Sequence, residues 1–158
     1  MPEATVLDWS GWRPTDAQLQ QMKQLGIVGC QRYETDDSPG NQWKVCSKQE
    51  YDRILGAGLQ ILAGFEVSKT SWQQGRPLGL QHGEMARRKW RAKGHPDSRP
   101  IAFAVDSDVP ATKQAVDLAC AYLGGCAEAG GPASSYGETS VIDAAFDRGI
   151  TVNAWRAA

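Results

Sequence analysis

The sequence lacks the features that define several large classes of protein. No apolar run approaches the roughly 20 residues of a membrane-spanning helix. The N-terminal stretch MPEATVLDWSGW has no basic region followed by an apolar one, so no signal peptide is predicted. The formal net charge is only −1, which does not indicate a nucleic-acid or anionic membrane partner. The site of action therefore stays open, and work outside the producing cell would need another release route.

The common cofactor and nucleophile signatures are also missing. There is no GxxxxGK[ST], no GxGxxG after the first apolar segment and no GxSxG elbow. The two histidines, His82 and His95, are predicted at the surface, in a loop and in a Gly-His-Pro turn. The cysteines form no CxxC pair and have no histidine nearby, so we expect free core residues rather than a zinc site. They are Cys30, Cys46, Cys120 and Cys126. No cofactor and no metal site are expected.

What is present is a regular alternation of two patterns. Six short, mostly continuous apolar segments predict strands: ATVLDW, IVGCQRY, LQILAGFEV, IAFAVDSDV, PASSYGE and ITVNAW. Helical patterns separate them. Two helices follow the capping boxes TDAQ and SKQE, and one basic helix around GEMARRKWRAKG follows a loop rich in Gly, Gln and Pro. Continuous apolar strands indicate a parallel sheet covered by crossover helices. We therefore expect one α/β domain over residues 1–158.

Polar and aromatic side chains are concentrated where the predicted strands end. In parallel α/β folds the functional groups gather at the carboxyl ends of the strands. The candidates for catalysis are Asp8, Glu66, Asp106 and Asp108. The candidates for substrate binding are Arg32, Tyr33, Tyr136, Asn153 and Trp155. Simpler roles stay open: Asp8 and Asp108 as turn or helix caps, Glu66 as an ion-pair partner of Arg32, and Tyr136 and Trp155 as core residues.

The pair Asp106 and Asp108 carries the most specific chemical signal. Residues i and i+2 of a strand point to the same face, with Cβ atoms roughly 6 to 7 Å apart. Carboxyl groups about 5 to 9.5 Å apart perform glycoside hydrolysis, and neighbouring carboxylates resist ionising together, so one can keep its proton. The same acids could bind Mg²⁺ or Ca²⁺.

Several segments resemble one known family in the order in which they occur. They are VLDWSGW, GCQRYE, AGLQILAGFE, HGEMARRKWRAKGHP, PIAFAVDSD, SSYGE and NAWRA. The chain resembles the glycoside hydrolase-like family of the domain of unknown function 1906, typified by a secreted mycobacterial protein. That family is related in fold to the lysozymes of glycoside hydrolase family 25. The resemblance covers nearly the whole chain and implies a TIM-barrel-like (β/α) parallel barrel with an acidic pocket at its top.

The resemblance also implies a function. Such proteins occur in actinobacteria and their phages, where cell-wall glycan is the presumed target. The expected activity is hydrolysis of peptidoglycan by the carboxylate cluster, as in a phage lysin. Where family 25 enzymes carry Asp-x-Glu, this chain has the shorter Asp108. That favours a first alternative, a catalytically inactive glycan-binding module of a phage or envelope assembly. A metal-dependent phosphoester hydrolase is the second alternative.

The number of strands adds an expectation about assembly. A complete barrel has eight strands and about 200 or more residues, whereas six βα units are predicted here. Exposed sheet edges are usually avoided. We therefore expect a short, open barrel, which self-association would complete or cover.

Overall fold

The structure, a computed structural model, describes residues 5–156, with side chains described for residues 5–154. Six strands form one sheet: β1 (Thr5–Asp8), β2 (Ile27–Glu34), β3 (Gln60–Phe65), β4 (Ile101–Val105), β5 (Ala133–Gly137) and β6 (Asn153–Arg156). They lie in the order β1-β2-β3-β4-β5-β6, and every neighbouring pair is parallel. The strands curl into a half-barrel and alternate with helices. The predicted TIM-barrel-like α/β fold is confirmed.

Five helices cover the outer face of the sheet. They are α1 (Asp16–Gln24), α2 (Lys48–Gly56), α3 (Gly75–Arg91), α4 (Lys113–Gly130) and α5 (Thr139–Asp147). The capping signals in the sequence predict their starts well: the side chains of Thr15, Ser47 and Thr112 each accept a backbone hydrogen bond at the start of α1, α2 and α4. No helix within residues 5–156 is long and apolar enough to cross a membrane.

The largest difference from the sequence prediction is the start of α3. The segment expected to be a Gly- and Pro-rich loop is helical from Gly75 onward. Pro77 falls in the first turn, where its missing N–H leaves no intrahelical bond unmade. The glycines do not break the helix because they face α4, which needs residues without a side chain at this contact.

The contact between α3 and α4 is unusually close. A Cβ atom at Gly79 or Gly83 would clash with the carbonyl oxygens of Tyr122 and Cys126 on α4. From the other side, a Cβ at Gly125 would meet the backbone of α3 at Arg76. The two helix backbones therefore touch directly, and the glycine positions set their separation. We call this contact the glycine seam.

A substitution at the seam is expected to destabilise the domain. Gly79→Ala places a methyl group against the backbone of α4, and overpacking of this kind lowers the free energy of unfolding by about 1 to 3 kcal/mol. The matched control is Gly124→Ala on α4, where nothing lies within 4 Å of the added Cβ. There, better helix propensity raises the free energy of unfolding by about 0.5 to 1 kcal/mol. Urea unfolding measures the free energy of unfolding of both variants. Changes of the same sign would contradict the close backbone contact at the glycine seam.

Both histidines and part of the basic run lie in the interior. His82 is in α3 and shares a hydrogen bond of 2.9 Å with the Tyr122 hydroxyl, and His95 packs against Trp90. The prediction of surface positions was wrong for both: α3 begins earlier than expected and so includes His82, and the turn that holds His95 folds back onto Trp90. Arg87 is also buried, where its guanidinium donates to four backbone carbonyls. The four cysteines are buried and free, as predicted.

Candidate functional site

The carboxyl ends of the strands meet around one cavity of about 400 Å³, which we call the acidic pocket. Its lining includes side chains at the carboxyl ends of five different strands: Asp8, Tyr33, Glu66, Asp106 and Tyr136. Parallel pairing explains the convergence, because it brings the carboxyl ends of all six strands to one edge of the sheet. The structure therefore brings together five of the nine residues that the sequence nominates.

A chain of hydrogen bonds connects the acidic pocket to the interior of the half-barrel. The buried Gln31 side chain donates from Nε2 to the hydroxyl of Tyr33 at 3.0 Å. Tyr33 donates in turn to Oδ2 of Asp8 at 2.7 Å. Gln31 and Tyr33 share the inner face of β2 because they are two residues apart on a strand. The chain orients the Asp8 carboxylate at the rim of the pocket.

The surroundings of Asp8 favour its protonated form. The residue lies on an edge strand and is exposed on one side, but partial burial of the carboxylate raises its pKa above the ordinary value of 3.8. The Tyr33 hydroxyl and the Arg32 guanidinium act in the opposite direction, and the charges of Glu66 and Asp106 raise the pKa further. The raised pKa makes Asp8 a candidate proton donor of this pocket.

We expect Asp8→Asn to make the domain more stable at neutral pH. A raised pKa contributes stability below the unfolded value of 3.8, and this contribution is lost as the pH rises through the folded pKa. The amide does not titrate and still accepts from Tyr33. The gain at neutral pH is expected to stay under about 1 kcal/mol because the residue is partly solvated, and it should shrink in acid. Denaturation at several pH values measures it; a difference independent of pH would contradict the assignment.

Glu66 is held by a cation rather than by another acid. Its Oε2 lies 3.0 Å from Nζ of Lys44, and both side chains are largely buried. Lys44 ends a short 3₁₀ helix, Pro39–Lys44, and the chain then rejoins the sheet through a bridge between Val45 and Tyr33. The alternative that Glu66 pairs with Arg32 is wrong, since Glu66 pairs with Lys44 from this loop and Arg32 pairs with Glu50.

Asp106 lies at the junction of two cavities. A second cavity of about 440 Å³, which we call the side pocket, shares Asp106 and Lys69 with the acidic pocket. Asp108 is exposed and lines only the side pocket, together with Glu138. The helix cap predicted as its alternative role belongs to Thr112 instead. Asp106 is half-buried, and no described residue donates a hydrogen bond to its carboxylate.

Two of the remaining nominated residues, Arg32 and Asn153, do not line the acidic pocket. Arg32 is fully buried on the outer face of β2, where it pairs with Glu50 at 2.7 Å and donates to the carbonyl of Trp9. The prediction that Arg32 binds substrate is therefore corrected, because its guanidinium is buried away from the acidic pocket. Asn153 opens β6 and so lies at the amino end of the sheet, because β6 starts three residues later than predicted. Trp155 pairs with Tyr136 through its backbone, and its side chain is outside the described residues.

Sequence reasoning missed several residues of the pocket wall. Trp43 is 59% exposed and lines the acidic pocket with Trp9, Lys44 and Lys69. A large aromatic residue in a polar loop is a signal that could have identified Trp43, because exposed tryptophans often serve as binding surfaces. The two lysines gave no such signal, since their position depends on how the loops return to the sheet.

The donor set does not resemble a metal centre. Among residues 5–154, no three His, Cys, Asp or Glu side chains come close enough together to hold a metal ion. Lys44 and Lys69 lie beside the carboxylates instead. This arrangement favours proton transfer and hydrogen bonding over divalent-ion binding.

Comparison with known proteins agrees with this geometry. Residues 20–158 match the sequence profile of the Rv2525c-like, glycoside hydrolase-like domain. Rv2525c of Mycobacterium tuberculosis (strain ATCC 25618 / H37Rv), described as a candidate peptidoglycan hydrolase, is 29% identical over 144 residues. The match covers 86% of this chain and 60% of that protein. The chain thus matches less than two thirds of its relative.

Two solved structures show the same fold. The Tat-secreted protein Rv2525c of Mycobacterium tuberculosis, in complex with HEPES, superposes with a TM-score of 0.82 at 24% identity, over 96% of this chain and 77% of that one. An uncharacterized protein of B. stearothermophilus superposes with a TM-score of 0.66 at 21% identity, over 96% and 73% of the two chains.

Proposed function

Since this chain belongs to the Rv2525c-like family of glycoside hydrolase-like domains, we propose that it binds bacterial cell-wall glycan and hydrolyses its glycosidic bonds. The observation that carries the proposal is the convergence of Asp8, Glu66 and Asp106 with two tyrosines on one pocket at the carboxyl ends of the strands. The relative Rv2525c, described as a candidate peptidoglycan hydrolase, supports peptidoglycan as the substrate class.

The environments of the carboxyl groups support different roles for them. Glycoside hydrolysis needs one carboxyl group that donates a proton and a second one that acts as a base or nucleophile. Asp8 suits the first role because burial raises its pKa. Asp106 suits the second, because no described side chain occupies its carboxylate. Glu66 is already paired with the Lys44 ammonium, at 3.0 Å between Oε2 and Nζ, so neither role is assigned to it.

The aromatic wall supports a sugar ligand. Trp43 and Tyr136 line the acidic pocket, and Trp12 packs edge-on against Trp9 nearby at 5.5 Å between ring centroids. Aromatic rings combine an apolar face with a polar edge. A pyranose ring bound against these residues would place its glycosidic oxygen near the carboxylates.

Purified peptidoglycan provides the test that separates the candidate functions. Incubation of the protein with it, with and without EDTA, is expected to release new reducing ends equally in both samples. Pull-down with no new reducing ends would establish the alternative of an inactive glycan-binding module, which the exposed Asp108 favours. A separate assay on a phosphodiester substrate tests the second alternative. Activity in that assay that disappears with EDTA would favour the metal-dependent phosphoester hydrolase.

We also propose that the domain self-associates. Strands β1 and β6 form the edges of the sheet, and neither pairs with a further strand within residues 5–156. Open parallel edges readily add another strand or a covering element, and a second copy could supply it. A mass measurement in solution tests this, and a monomer at high concentration would contradict it.

A further inference from the structure

A third cavity lies away from the carboxylates, inside the amino-terminal half of the sheet. Its volume is about 310 Å³. Its twelve lining residues include Gln31, Leu62, His95, Pro100, Ala102 and Ser134. We call it the basal cavity. Cavities of about 150 Å³ with apolar walls already hold a benzene ring, so this one has room for a compact organic molecule.

Two buried polar atoms beside the basal cavity have no partner among the described residues. They are Oε1 of Gln31 and Nε2 of His95, on side chains that are 1% and 4% exposed. Such groups are rare in folded proteins, because a buried acceptor without a donor loses its hydration and gains nothing in exchange. Two buried polar atoms without partners at one cavity therefore indicate that a ligand binds there.

The chemistry of both atoms is that of an acceptor. Asp8, when ionised, can only accept, so the Tyr33 hydroxyl must donate to it and must itself receive the Gln31 amide N–H. This order leaves Oε1 of Gln31 on the side of the basal cavity. Burial lowers the pKa of His95 to about 4, so the ring is neutral and one of its nitrogens accepts. Nε2 is the buried ring nitrogen that has no partner among the described residues, and we assign the acceptor role to it.

We propose that the basal cavity is a second binding site, for a compact molecule with an apolar body and hydrogen-bond donors, and that its occupancy is linked to the protonation of Asp8 through Gln31 and Tyr33. The site itself does not depend on glycan hydrolysis.

The linkage follows from the polarity of the hydrogen-bond chain. A donor that binds Oε1 of Gln31 strengthens the N–H bond to Tyr33, and this makes the Tyr33 hydroxyl a better donor to Asp8. Such a ligand favours ionised Asp8. If Asp8 is protonated and donates to Tyr33, the chain runs in reverse and the Gln31 amide presents its N–H groups to the cavity. A ligand rich in donors then loses its acceptor.

The binding test uses resorcinol, an apolar ring with two donors, and its dimethyl ether, which has none. NMR titration of the whole chain is expected to show saturable shifts with resorcinol at the backbone amides of Leu62, Ala102 and Ser134 and at the side-chain amide of Gln31. The ether is expected to bind at least about tenfold more weakly, because it leaves both acceptors unpaired. No saturable shift, or equal affinity for the two compounds, overturns the site.

The linkage test measures resorcinol affinity above and below the titration of Asp8. Binding is expected to be about fivefold tighter when Asp8 is ionised, with a matching fall in the pKa of Asp8 when resorcinol is bound. The other titratable or charged groups that face Asp8 are the same with and without resorcinol. They are Arg32, Tyr33, Glu66, Asp106 and Tyr136, with Lys44 and Lys69 on the pocket wall.

Tyr33→Phe is the control for the linkage. It removes the hydroxyl at the centre of the chain, so resorcinol should still bind while its effect on Asp8 disappears. An effect that persists in this variant overturns the route through Gln31 and Tyr33. In the wild type, resorcinol binding that leaves the Asp8 titration unchanged overturns the linkage without any variant.

Discussion

Asp106→Asn is expected to lower the release of reducing ends from peptidoglycan by about 10²- to 10⁴-fold, the usual contribution of a general acid–base group. The amide has nearly the same shape as the carboxylate but can neither take up a proton nor attack the anomeric carbon. Asp106 is half-buried and lines both the acidic pocket and the side pocket. A glycan that occupies both pockets would therefore pass over the Asp106 carboxylate.

The matched control for this loss is Asp147→Asn. Asp147 is an exposed aspartate at the end of α5 and lines neither pocket, so hydrolysis should be unchanged. Glycan pull-down by the Asp106 variant should match that of the wild type, because the aromatic wall is intact. An Asp106 variant that keeps more than about a third of wild-type activity would show that another group performs this step.

Arg32→Met is expected to give the largest loss of stability, about 3 to 5 kcal/mol in the free energy of unfolding. The guanidinium contacts both carboxylate oxygens of Glu50, at 2.7 and 3.2 Å, and the pair is almost completely buried. Without Arg32, Glu50 keeps a buried charge that has lost its partner, and the carbonyl of Trp9 loses a donor.

Two further variants separate loss of pairing from loss of volume. The double variant Arg32→Met, Glu50→Met replaces the pair by apolar side chains, so it should recover most of the stability that the single variant loses. Arg91→Met breaks an ion pair with Asp97 in which both side chains are more than half exposed, and it should change stability little. A single Arg32 variant as stable as the wild type would contradict the importance of the buried pair.

The sequence predicts the fold better than it predicts the site. Continuous apolar strands and capping residues such as Thr15 and Ser47 act locally, so the order of elements and the parallel sheet follow from them. Asp8, Glu66 and Asp106 could be placed at one edge because parallel pairing requires it. Arg32 was misplaced because it differs from Tyr33 only in the direction in which its side chain leaves the strand.

The residues that sequence reasoning missed depend on long-range contacts. Lys44 reaches Glu66 because the loop after β2 folds back onto the sheet. The early start of α3 depends on the glycine seam, which exists only once α4 is in place. Neither contact has a periodic pattern in the sequence, since each joins segments that are distant along the chain.

The glycine seam has a consequence for how a glycan would be selected. The segments that precede α3 and α4 line the acidic and side pockets, and Trp72 of the first segment donates to Ser107 of the second at 2.8 Å. Because the two helices touch backbone to backbone, these segments could move apart only if the helices separated. We therefore expect the width of the pockets to be set before any ligand binds, so that little conformational freedom is lost on binding. If the proposed glycan binds here, we expect it to be selected by its shape and not by closure of the protein around it.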